Sequence, residues 1–333
     1  MTESAAHYPH QLAALSMPAL TQRTPLTQHT IIDTASPLTQ LPRERLIMAL
    51  DAFERAGVLT QALPYIQRYS GKIVVVKYGG NAMKDPDLQL QVMEDVALLR
   101  LIGVRIVLVH GGGPDITAMM QLVGKQPEFV NGLRVTDQET MDIVQMVLAG
   151  KVNKHLVQLL EMKGGHAIGL SGIDARMLEA RQKDPRLGFV GEITHVNAQP
   201  ILDVLAGGYI PVISTLATDS YGHTLNVNGD VAAAHIAGAL GAERLIFMTD
   251  IAGILRDKND PASLITNISV TDAEHLRDQG VISGGMIPKV EYAIKAIGWG
   301  VKNSVIMDGT TAHSIVVELL TDQGVGTWIR GEK

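Results

Sequence analysis

Six short apolar runs alternate with helical patterns from Lys72 onward, and this alternation constrains the fold more than any other feature. The runs are rich in β-branched residues and apolar at consecutive positions, which is typical of strands buried on both faces of a parallel sheet. Strands that alternate with helices predict a three-layer αβα sandwich with a mainly parallel open sheet. The predicted strands are residues 73–76, 106–109, 167–170, 210–213, 245–248 and 305–307, and the predicted helices are residues 87–102, 138–149, 152–163, 230–240 and 286–297.

Two segments precede this pattern, which occupies residues 71–333. Residues 1–40 show no sustained periodicity and contain four prolines, so they are predicted to form a disordered tail. Residues 41–70 are predicted to form a helical arm, because apolar residues repeat there at intervals of three and four. Pro64 should kink or divide this helix. The arm could pack on its own domain or on another subunit.

The composition argues against several classes of protein. The formal net charge is −6 and only 4% of the residues are aromatic, which argues against a nucleic-acid-binding surface. The absence of cysteine excludes disulfides and thiolate metal sites. No apolar stretch reaches the ~18 residues needed to span a bilayer. The N-terminal residues do not resemble a secretory signal, so we expect a cytoplasmic protein, with organelle targeting by residues 1–40 as the alternative.

Two glycine-rich segments each follow a predicted strand. They are residues 77–80 (KYGG) and residues 110–113 (HGGG). Glycines allow backbone N–H groups to approach an anion, and the N-terminus of a following helix adds a positive dipole end. Ligands of open α/β sheets gather at the carboxyl ends of the strands. Two such loops, one of them led by a lysine, favour a phosphate or carboxylate site over two plain turns.

Several common motifs are absent from the sequence. It contains no G-x-x-x-x-G-K-[ST], so it is not a P-loop enzyme by motif, and no G-x-G-x-x-G of the dinucleotide-binding type. It also lacks H-E-x-x-H and G-x-S-x-G, so zinc-protease and α/β-hydrolase interpretations have no support. The dipeptide Asn131-Gly132 lies between short apolar runs and predicts a β-hairpin.

Three charged residues stand out by their positions. Lys77 ends a buried strand, and Lys289 lies early in a helix, where its charge opposes the helix dipole. Binding of a polyphosphate would explain both lysines, whereas the usual alternative is a solvated surface lysine. Asp230 lies at the start of the helix 230–240, where it could cap the helix or hold the two lysines.

The family resemblance described in the next paragraph implies phosphoryl transfer, and the side chains near the glycine-rich segments suit a carboxylate as the acceptor. A carboxylate with a reference pKa near ~4.3 is already ionised at pH 7 and requires no general base. A hydroxyl acceptor would require one within hydrogen-bonding reach. The glycine-rich segments offer only His110, which we interpret as a structural histidine at the end of a strand.

Six segments in a fixed order carry a family resemblance over about residues 42–333. They are KYGGNAM at 77–83, HGGGP at 110–114, NGLRVT at 131–136, GKVNK at 150–154, NVNGD at 226–230 and SGGMIPK at 283–289. Together they resemble the N-acetylglutamate kinases of the amino-acid-kinase superfamily. The resemblance implies that about residues 71–240 hold the acceptor and about residues 241–333 hold ATP.

The resemblance also implies roles for individual residues. Lys77 and Lys289 match the catalytic lysines, and Asp230 matches the aspartate that orients them. The positions that match acceptor-binding residues are Gly112, Gly113, Arg134 and Asn226. Those predicted to bind ATP are Gly79, Gly80, Thr249, Asp250, Leu255 and Ser283. Mg²⁺ is expected to enter with ATP and to be held mainly by phosphate oxygens and water, without a dedicated protein site.

A further resemblance concerns regulation and assembly. The arm, with Tyr65 in residues 63–66 (LPYI), is similar to the kinked helix of the arginine-inhibited hexameric subfamily. Glu318 and Gly324 match positions that bind the inhibitor L-arginine there, although Trp328 departs from the residue type expected. The implied assembly is a hexamer built as a trimer of dimers. The alternative is an arm without an effector site.

Two other functions are kept as alternatives. One is a kinase for another acidic amino-acid acceptor of the same superfamily. The other is a non-catalytic amino-acid-binding module with a kinase-like fold. Such a module would need neither Lys77 nor Lys289, and the chain contains both.

Overall fold

The computed structural model describes residues 51–331, apart from the side chain of Asn81. The chain divides into two compact units between Arg55 and Ala56, and every strand of the described residues lies in the second unit. The tail predicted for residues 1–40 and the start of the predicted arm, residues 41–50, lie outside the described residues. The boundary near residue 240 between an acceptor lobe and an ATP lobe stays a prediction.

Eight strands form the central sheet, in the order β12-β14-β13-β11-β1-β2-β8-β5. They are β1 (Ile73–Tyr78), β2 (Arg105–His110), β5 (Ala167–Ser171), β8 (Ile210–Ser214), β11 (Arg244–Thr249), β12 (Asn267–Ser269), β13 (Asn303–Asp308) and β14 (Thr327–Arg330). Neighbouring strands run parallel except β13 and β14, which are antiparallel. All six predicted strands lie in this sheet, and the prediction of a mainly parallel sheet is confirmed.

The described residues form eleven α-helices, and all but the first, which has no buried residue, cover the two faces of the central sheet. They are α1 (Ala52–Gln61), α2 (Leu63–Tyr69), α3 (Pro86–Leu101), α4 (Gly113–Leu122), α5 (Gln138–Gln145), α6 (Asn153–Met162), α7 (Gln199–Ala206), α8 (Gly229–Ala239), α9 (Val270–Asp278), α10 (Met286–Gly298) and α11 (Ser314–Leu320). Val74 and Val76 pack into one core with α3 to α6 and α11, and Val75 packs into a second core with α7 to α10. The predicted αβα sandwich is therefore confirmed, because β1 is buried on both faces.

The arm divides where proline predicts a break. Helix α1 ends at Gln61, α2 begins at Leu63, and Pro64 occupies the first turn of α2, where its missing N–H costs no helical hydrogen bond. Tyr69 at the end of α2 is buried against the core. Among the helices of the described residues, none is both long and apolar enough to cross a membrane.

One helix prediction was wrong at its end. The helix predicted for residues 138–149 stops at Gln145 and continues as a π-helix, Met146–Val152, which leads directly into α6. A π-turn accommodates an extra residue within a helix and is often found at functional sites. Here it buries Leu148 against Gly112, where a Cβ atom would lie only 2.6 Å from Leu148 Cδ2.

The sequence did not predict a second sheet. It contains β6 (Leu178–Gln182), β7 (Gly191–Val196), β9 (Leu216–Thr218) and β10 (Thr224–Asn226), in the order β10-β9-β6-β7. Strands β6 and β7 are only partly buried, and β9 and β10 are only three residues long, so none carries the continuous apolar run that marks the central strands. The hairpin predicted at Asn131-Gly132 is confirmed as β3 (Phe129–Val130) and β4 (Leu133–Arg134), with positive φ at both turn residues.

His110 and Asn153 join strands β2 and β8 to helix α6 beneath the glycine-rich loops. His110 is completely buried at the end of β2. Asn153, the first residue of α6, donates from Nδ2 to His110 Nε2 at 3.1 Å and to the carbonyl of Val212 on β8 at 2.8 Å. His110 Nδ1 therefore carries the proton and donates to the carbonyl of Gly111 at 2.8 Å. Burial lowers the pKa of His110 to about 4, so the ring is neutral at pH 7.

This buried histidine predicts a loss of stability in acid. The pKa of His110 is ~6.5 in the unfolded chain and about 4 in the folded chain, so between these pH values the unfolded chain binds more protons. The contribution of neutral His110 to the free energy of unfolding is therefore complete above pH ~6.5 and is lost as the pH falls toward about 4. We expect the free energy of unfolding of the wild type to lose about 2 kcal/mol relative to His110→Gln between pH 7 and pH 5. Chemical denaturation at both pH values measures this difference.

The matched control is His275→Gln, which removes an exposed histidine on α9. It should follow the wild type at both pH values. An unchanged stability difference between wild type and His110→Gln at pH 5 and pH 7 would show that His110 is not a buried neutral group.

Candidate active site

Two cavities open near the carboxyl ends of the central strands, on either side of the start of α8. The first, the Arg134 cavity, has a volume of about 190 Å³, and its lining includes Gly112, Gly113, Phe129, Arg134, Asn226 and Gly229. The second, the Lys289 cavity, has a volume of about 360 Å³, and its lining includes Lys77, Gly79, Gly80, Thr249, Asp250, Ser283 and Lys289. The structure therefore gathers most of the predicted residues at one edge of the sheet, as the topology requires.

The two predicted lysines meet at one carboxylate. Lys77 Nζ lies 3.1 Å from Asp230 Oδ1, and Lys289 Nζ donates a hydrogen bond to Asp230 Oδ2 at 2.7 Å. The three side chains come from β1, α8 and α10, and all are largely buried. One carboxylate and two ammonium groups leave one net positive charge, which faces the Lys289 cavity because both lysines line it.

The electrostatics of Asp230 are governed by these lysines. Burial alone would raise the pKa of its carboxyl group, but the charges of Lys77 and Lys289 outweigh burial, and the pKa lies below its usual value. Asp230 is therefore ionised at neutral pH. A buried ion pair that lost one partner would leave an uncompensated charge, so the cluster is stable only as a unit.

Helix capping explains why Asp230 is free to bind the lysines. The cap of α8 is Asn228, whose Oδ1 accepts hydrogen bonds from the backbone N–H groups of Asp230 at 2.9 Å and Val231 at 3.3 Å. The interpretation of Asp230 as the N-cap is therefore wrong.

The position of the Lys77 side chain also depends on Gly79. A Cβ atom added at Gly79 would lie 2.9 Å from Lys77 Nζ, so a larger residue there would crowd the ammonium group.

Arg134 lines one wall of the first cavity. Its Nη2 donates to Thr117 Oγ1 at 2.8 Å and to the carbonyl of Gly113 at 3.1 Å, and its guanidinium carbon lies 4.7 Å from the centre of the Phe129 ring. Burial lowers the pKa of Arg134. These contacts fix the plane of the guanidinium, and a fixed fork can bind a carboxylate at two points. On another wall, Asn226 donates to Thr136 Oγ1 at 3.3 Å.

The residues predicted to bind ATP are brought together with one exception. Gly79, Gly80, Thr249, Asp250 and Ser283 all line the Lys289 cavity, and Thr249 Oγ1 donates to Asp250 Oδ1 at 3.1 Å. The exception is Leu255, which is not among the described residues that line the Lys289 cavity. Its backbone instead forms an isolated β-bridge with Leu264.

The residues predicted to bind arginine lie away from both cavities. Glu318 on α11 is fully buried and forms an ion pair with Arg244 at 3.1 Å. Its carboxylate also accepts hydrogen bonds from Trp328 Nε1 and from the backbone of Val325. Exposed Gly324 lies beside Glu318, whereas Tyr65 is half-buried on α2.

Sequence reasoning missed Asn228, which lines the Arg134 cavity as well as capping α8. An asparagine just before a predicted helix is a recognised capping signal and could have identified it.

Residues 51–331 contain no group of three or more His, Asp or Glu side chains placed to hold a metal ion.

Comparison with known proteins gives consistent results. A family model described as the Amino acid kinase family matches residues 72–308. An acetylglutamate kinase from Brachyspira hyodysenteriae is 50% identical over 82% of this chain and 96% of the relative, and one from Clostridioides difficile is 51% identical over 84% and 98%. The structure of N-acetylglutamate synthase from Neisseria gonorrhoeae, complexed with coenzyme A and N-acetyl-glutamate, superimposes with a TM-score of 0.75 at 26% identity, covering 85% of this chain and 64% of that longer chain.

Proposed function

The chain belongs to the amino acid kinase family and, within it, to the acetylglutamate kinases, and on this basis we propose that it transfers the γ-phosphate of ATP to the side-chain carboxylate of N-acetyl-L-glutamate. The product is N-acetyl-L-glutamyl 5-phosphate, an intermediate of arginine biosynthesis. The observation that carries this proposal is the contact of Lys77 and Lys289 with Asp230 beside a cavity large enough for phosphates.

The Arg134 cavity is the proposed acceptor site. The planar guanidinium of Arg134 would bind the α-carboxylate of N-acetyl-L-glutamate at two points. The side-chain amide of Asn226 would bind on the other wall, and the backbones of Gly112 and Gly113 would approach the reacting end. This arrangement directs the side-chain carboxylate toward Asp230 and its lysines.

Phosphoryl transfer then needs positioning and positive charge rather than proton transfer. An oxygen of the acceptor carboxylate forms a bond to the γ-phosphorus, and the bond from that phosphorus to the β–γ bridging oxygen breaks, so that ADP leaves with the electron pair. The ammonium groups of Lys77 and Lys289 stabilise the charge on the phosphoryl group in flight, and Asp230 holds them in place. Removing one such donor typically costs about 3 kcal/mol of activation free energy. No proton moves, so His110 has no catalytic role.

We also propose that Mg²⁺ arrives bound to ATP. In kinases the ion neutralises charge on the phosphates, and it is usually held by phosphate oxygens, water and one or two carboxylates. Asp250, which accepts a hydrogen bond from Thr249, is the carboxylate that lines the Lys289 cavity and is proposed to lie near the ion. We place the reaction in the cytoplasm, a compartment that supplies ATP.

The alternatives differ in what they require of these residues. A kinase for another acidic amino acid would use the same lysines and differ only in how the Arg134 cavity accepts the substrate. A non-catalytic binding module would not need two lysines on one buried carboxylate, because an unused buried ion cluster gives little net stability. The lysine cluster therefore favours a catalyst over a binding module.

An ATP-consumption assay with N-acetyl-L-glutamate, N-acetyl-L-aspartate, L-glutamate and L-aspartate tests the acceptor and the lysines together. We expect N-acetyl-L-glutamate to give the highest kcat/KM. The Lys289→Ala variant should lower kcat by roughly 100-fold or more, because it removes a donor to the phosphoryl group.

Lys302→Ala is the matched control, since Lys302 is an exposed lysine outside both cavities. It should retain the wild-type rate. Preference for a different acceptor would overturn the substrate assignment, and a Lys289→Ala enzyme with the wild-type rate would overturn the mechanism.

We further propose that L-arginine inhibits the enzyme near Tyr65, Glu318 and Gly324. Support comes from the buried Glu318 carboxylate, which already binds a guanidinium, that of Arg244. Arg244 lies 3.7 Å from the centre of the Trp328 ring and donates to Asn303 Oδ1 at 2.7 Å. An effector guanidinium would have to compete with Arg244 for Glu318. It would thereby weaken the packing at the start of β11, where Arg244 lies.

The arm supports a related proposal about assembly. Val58, Leu59 and Leu63 on α1 and α2 are more than half exposed, although they are large apolar side chains. Exposed apolar surface of this kind marks interaction sites. We propose that the arm packs against another copy of the chain in a homohexamer built as a trimer of dimers.

Activity measured with and without L-arginine tests the regulatory proposal. Millimolar L-arginine should reduce the rate, whereas L-lysine at the same concentration should not, because an ammonium group cannot replace a planar guanidinium. Light scattering on the same sample should give the mass of a hexamer. Full activity at millimolar L-arginine would refute the effector site, and a monomeric mass would refute the assembly.

A further inference from the structure

A third cavity, of about 330 Å³, lies outside the two cavities of the proposed active site. Hairpin β6–β7 forms one wall, and helices α8 and α10 form the others. We call it the hairpin cavity, and the lining residues that matter here are Lys183, Glu192, His235, Tyr292, Lys295 and Trp299. Its volume is at the lower end of the range found for small-molecule sites.

Positive charge in the hairpin cavity exceeds negative charge. Glu192 is already paired with Arg181, with 2.7 Å between Glu192 Oε2 and Arg181 Nη2. Lys183 and Lys295 also line the cavity, and neither forms an ion pair within residues 51–331. Arg181, Lys183 and Lys295 thus bring three positive charges to a cavity in which Glu192 is the one carboxylate of the described lining.

Aromatic surface accompanies these charges. The rings of Trp299 and His235 lie 4.3 Å apart, and Lys295 Nζ lies 4.7 Å from the centre of the Tyr292 ring. Burial lowers the pKa of His235, and so does the charge of Lys295, so the imidazole ring is neutral at pH 7. Trp299 is still 43% exposed, which leaves an apolar face open to a ligand.

We propose that the hairpin cavity binds a small organic dianion as a second ligand of the enzyme. Its acidic groups pair with Lys183 and Lys295, and its apolar body packs against Trp299. Carboxylates and phosphate esters share this chemistry, because both present charged oxygens that ammonium groups bind.

Occupation of the cavity acts on the catalytic cluster through the helices that form its walls. His235 lies on α8, the helix that carries Asp230, and Lys295 lies on α10, the helix that carries Lys289. Asn228, the N-cap of α8, lines the hairpin cavity and the Arg134 cavity alike. A bound dianion therefore changes kcat. This effect on kcat rests on the proposed function, but the binding of the dianion does not depend on it.

Tryptophan fluorescence provides a direct test, because the chain contains only two tryptophans and one of them lines the cavity. The full chain is titrated at constant ionic strength with glutarate, a dicarboxylate, and with glycerol 3-phosphate, a phosphate ester. Acetate serves as the monoanion control. N-acetyl-L-glutamate and ADP are present at saturating concentration to fill the proposed active site.

We expect saturable binding of at least one dianion in the millimolar range or tighter, and none of acetate. The double variant Lys183→Gln/Lys295→Gln should weaken binding roughly tenfold or more, whereas Lys302→Gln should bind as the wild type does. The fluorescence change should disappear in Trp299→Phe. The rate of ATP consumption should change with the same concentration dependence.

Two results would overturn the binding proposal: no saturation with either dianion, or equal affinity in the double variant and the wild type. In an enzyme that is active in the substrate assay, binding without any change in rate would overturn the effect on kcat. Binding is measured without turnover. A failure of the proposed kinase function would therefore appear in the substrate assay and not in the titration.

Discussion

A single buried carboxylate determines the geometry of the proposed active site. Asp230 contacts Lys77 and Lys289, which are far apart in sequence and come from the central sheet and from helix α10. Lysine ammonium groups repel each other, so they stay within reach of one phosphoryl group only if an acid lies between them. The same carboxylate lowers the net charge of the cluster without neutralising it, and the remaining positive charge is what a transferring phosphoryl group requires.

The sheet supplies the rigidity that this contact needs. Strand β1 is central in the sheet and buried on both faces, so Lys77 projects from one of the least mobile parts of the fold. Asn228 fixes the start of α8, and glycine at position 79 allows the Lys77 side chain to pass close to the backbone. Beneath the loops, the buried pair of His110 and Asn153 joins β2 and β8 to α6. A well-packed scaffold of this kind is what holds catalytic groups within a fraction of an ångström of their working positions.

The sequence predicted the central sheet because its strands are continuous apolar runs, and it predicted the lysine cluster through the family resemblance. It did not predict the second sheet, since strands such as β6 and β7 are half exposed and carry no such run. The π-helix was missed because its residues continue the apolar pattern of an ordinary helix. The pairing of Glu318 with Arg244 joins residues 74 positions apart, a distance over which no local pattern gives information. Leu255 follows Ile251, the last residue of its segment that lines the Lys289 cavity, by four positions, and its own backbone pairs with Leu264, so its part in binding ATP stays a prediction.

The most direct test of the central claim is the kcat of Asp230→Asn with ATP and N-acetyl-L-glutamate both saturating. Asparagine preserves the shape of the side chain and removes its charge, so the two ammonium groups would repel and lose their common partner. The account predicts that kcat falls by roughly 100-fold or more while thermal unfolding shows that the fold is retained. A folded Asp230→Asn enzyme with kcat within a factor of about two of the wild type would contradict it, because the two lysines would then work without the acid that is said to hold them.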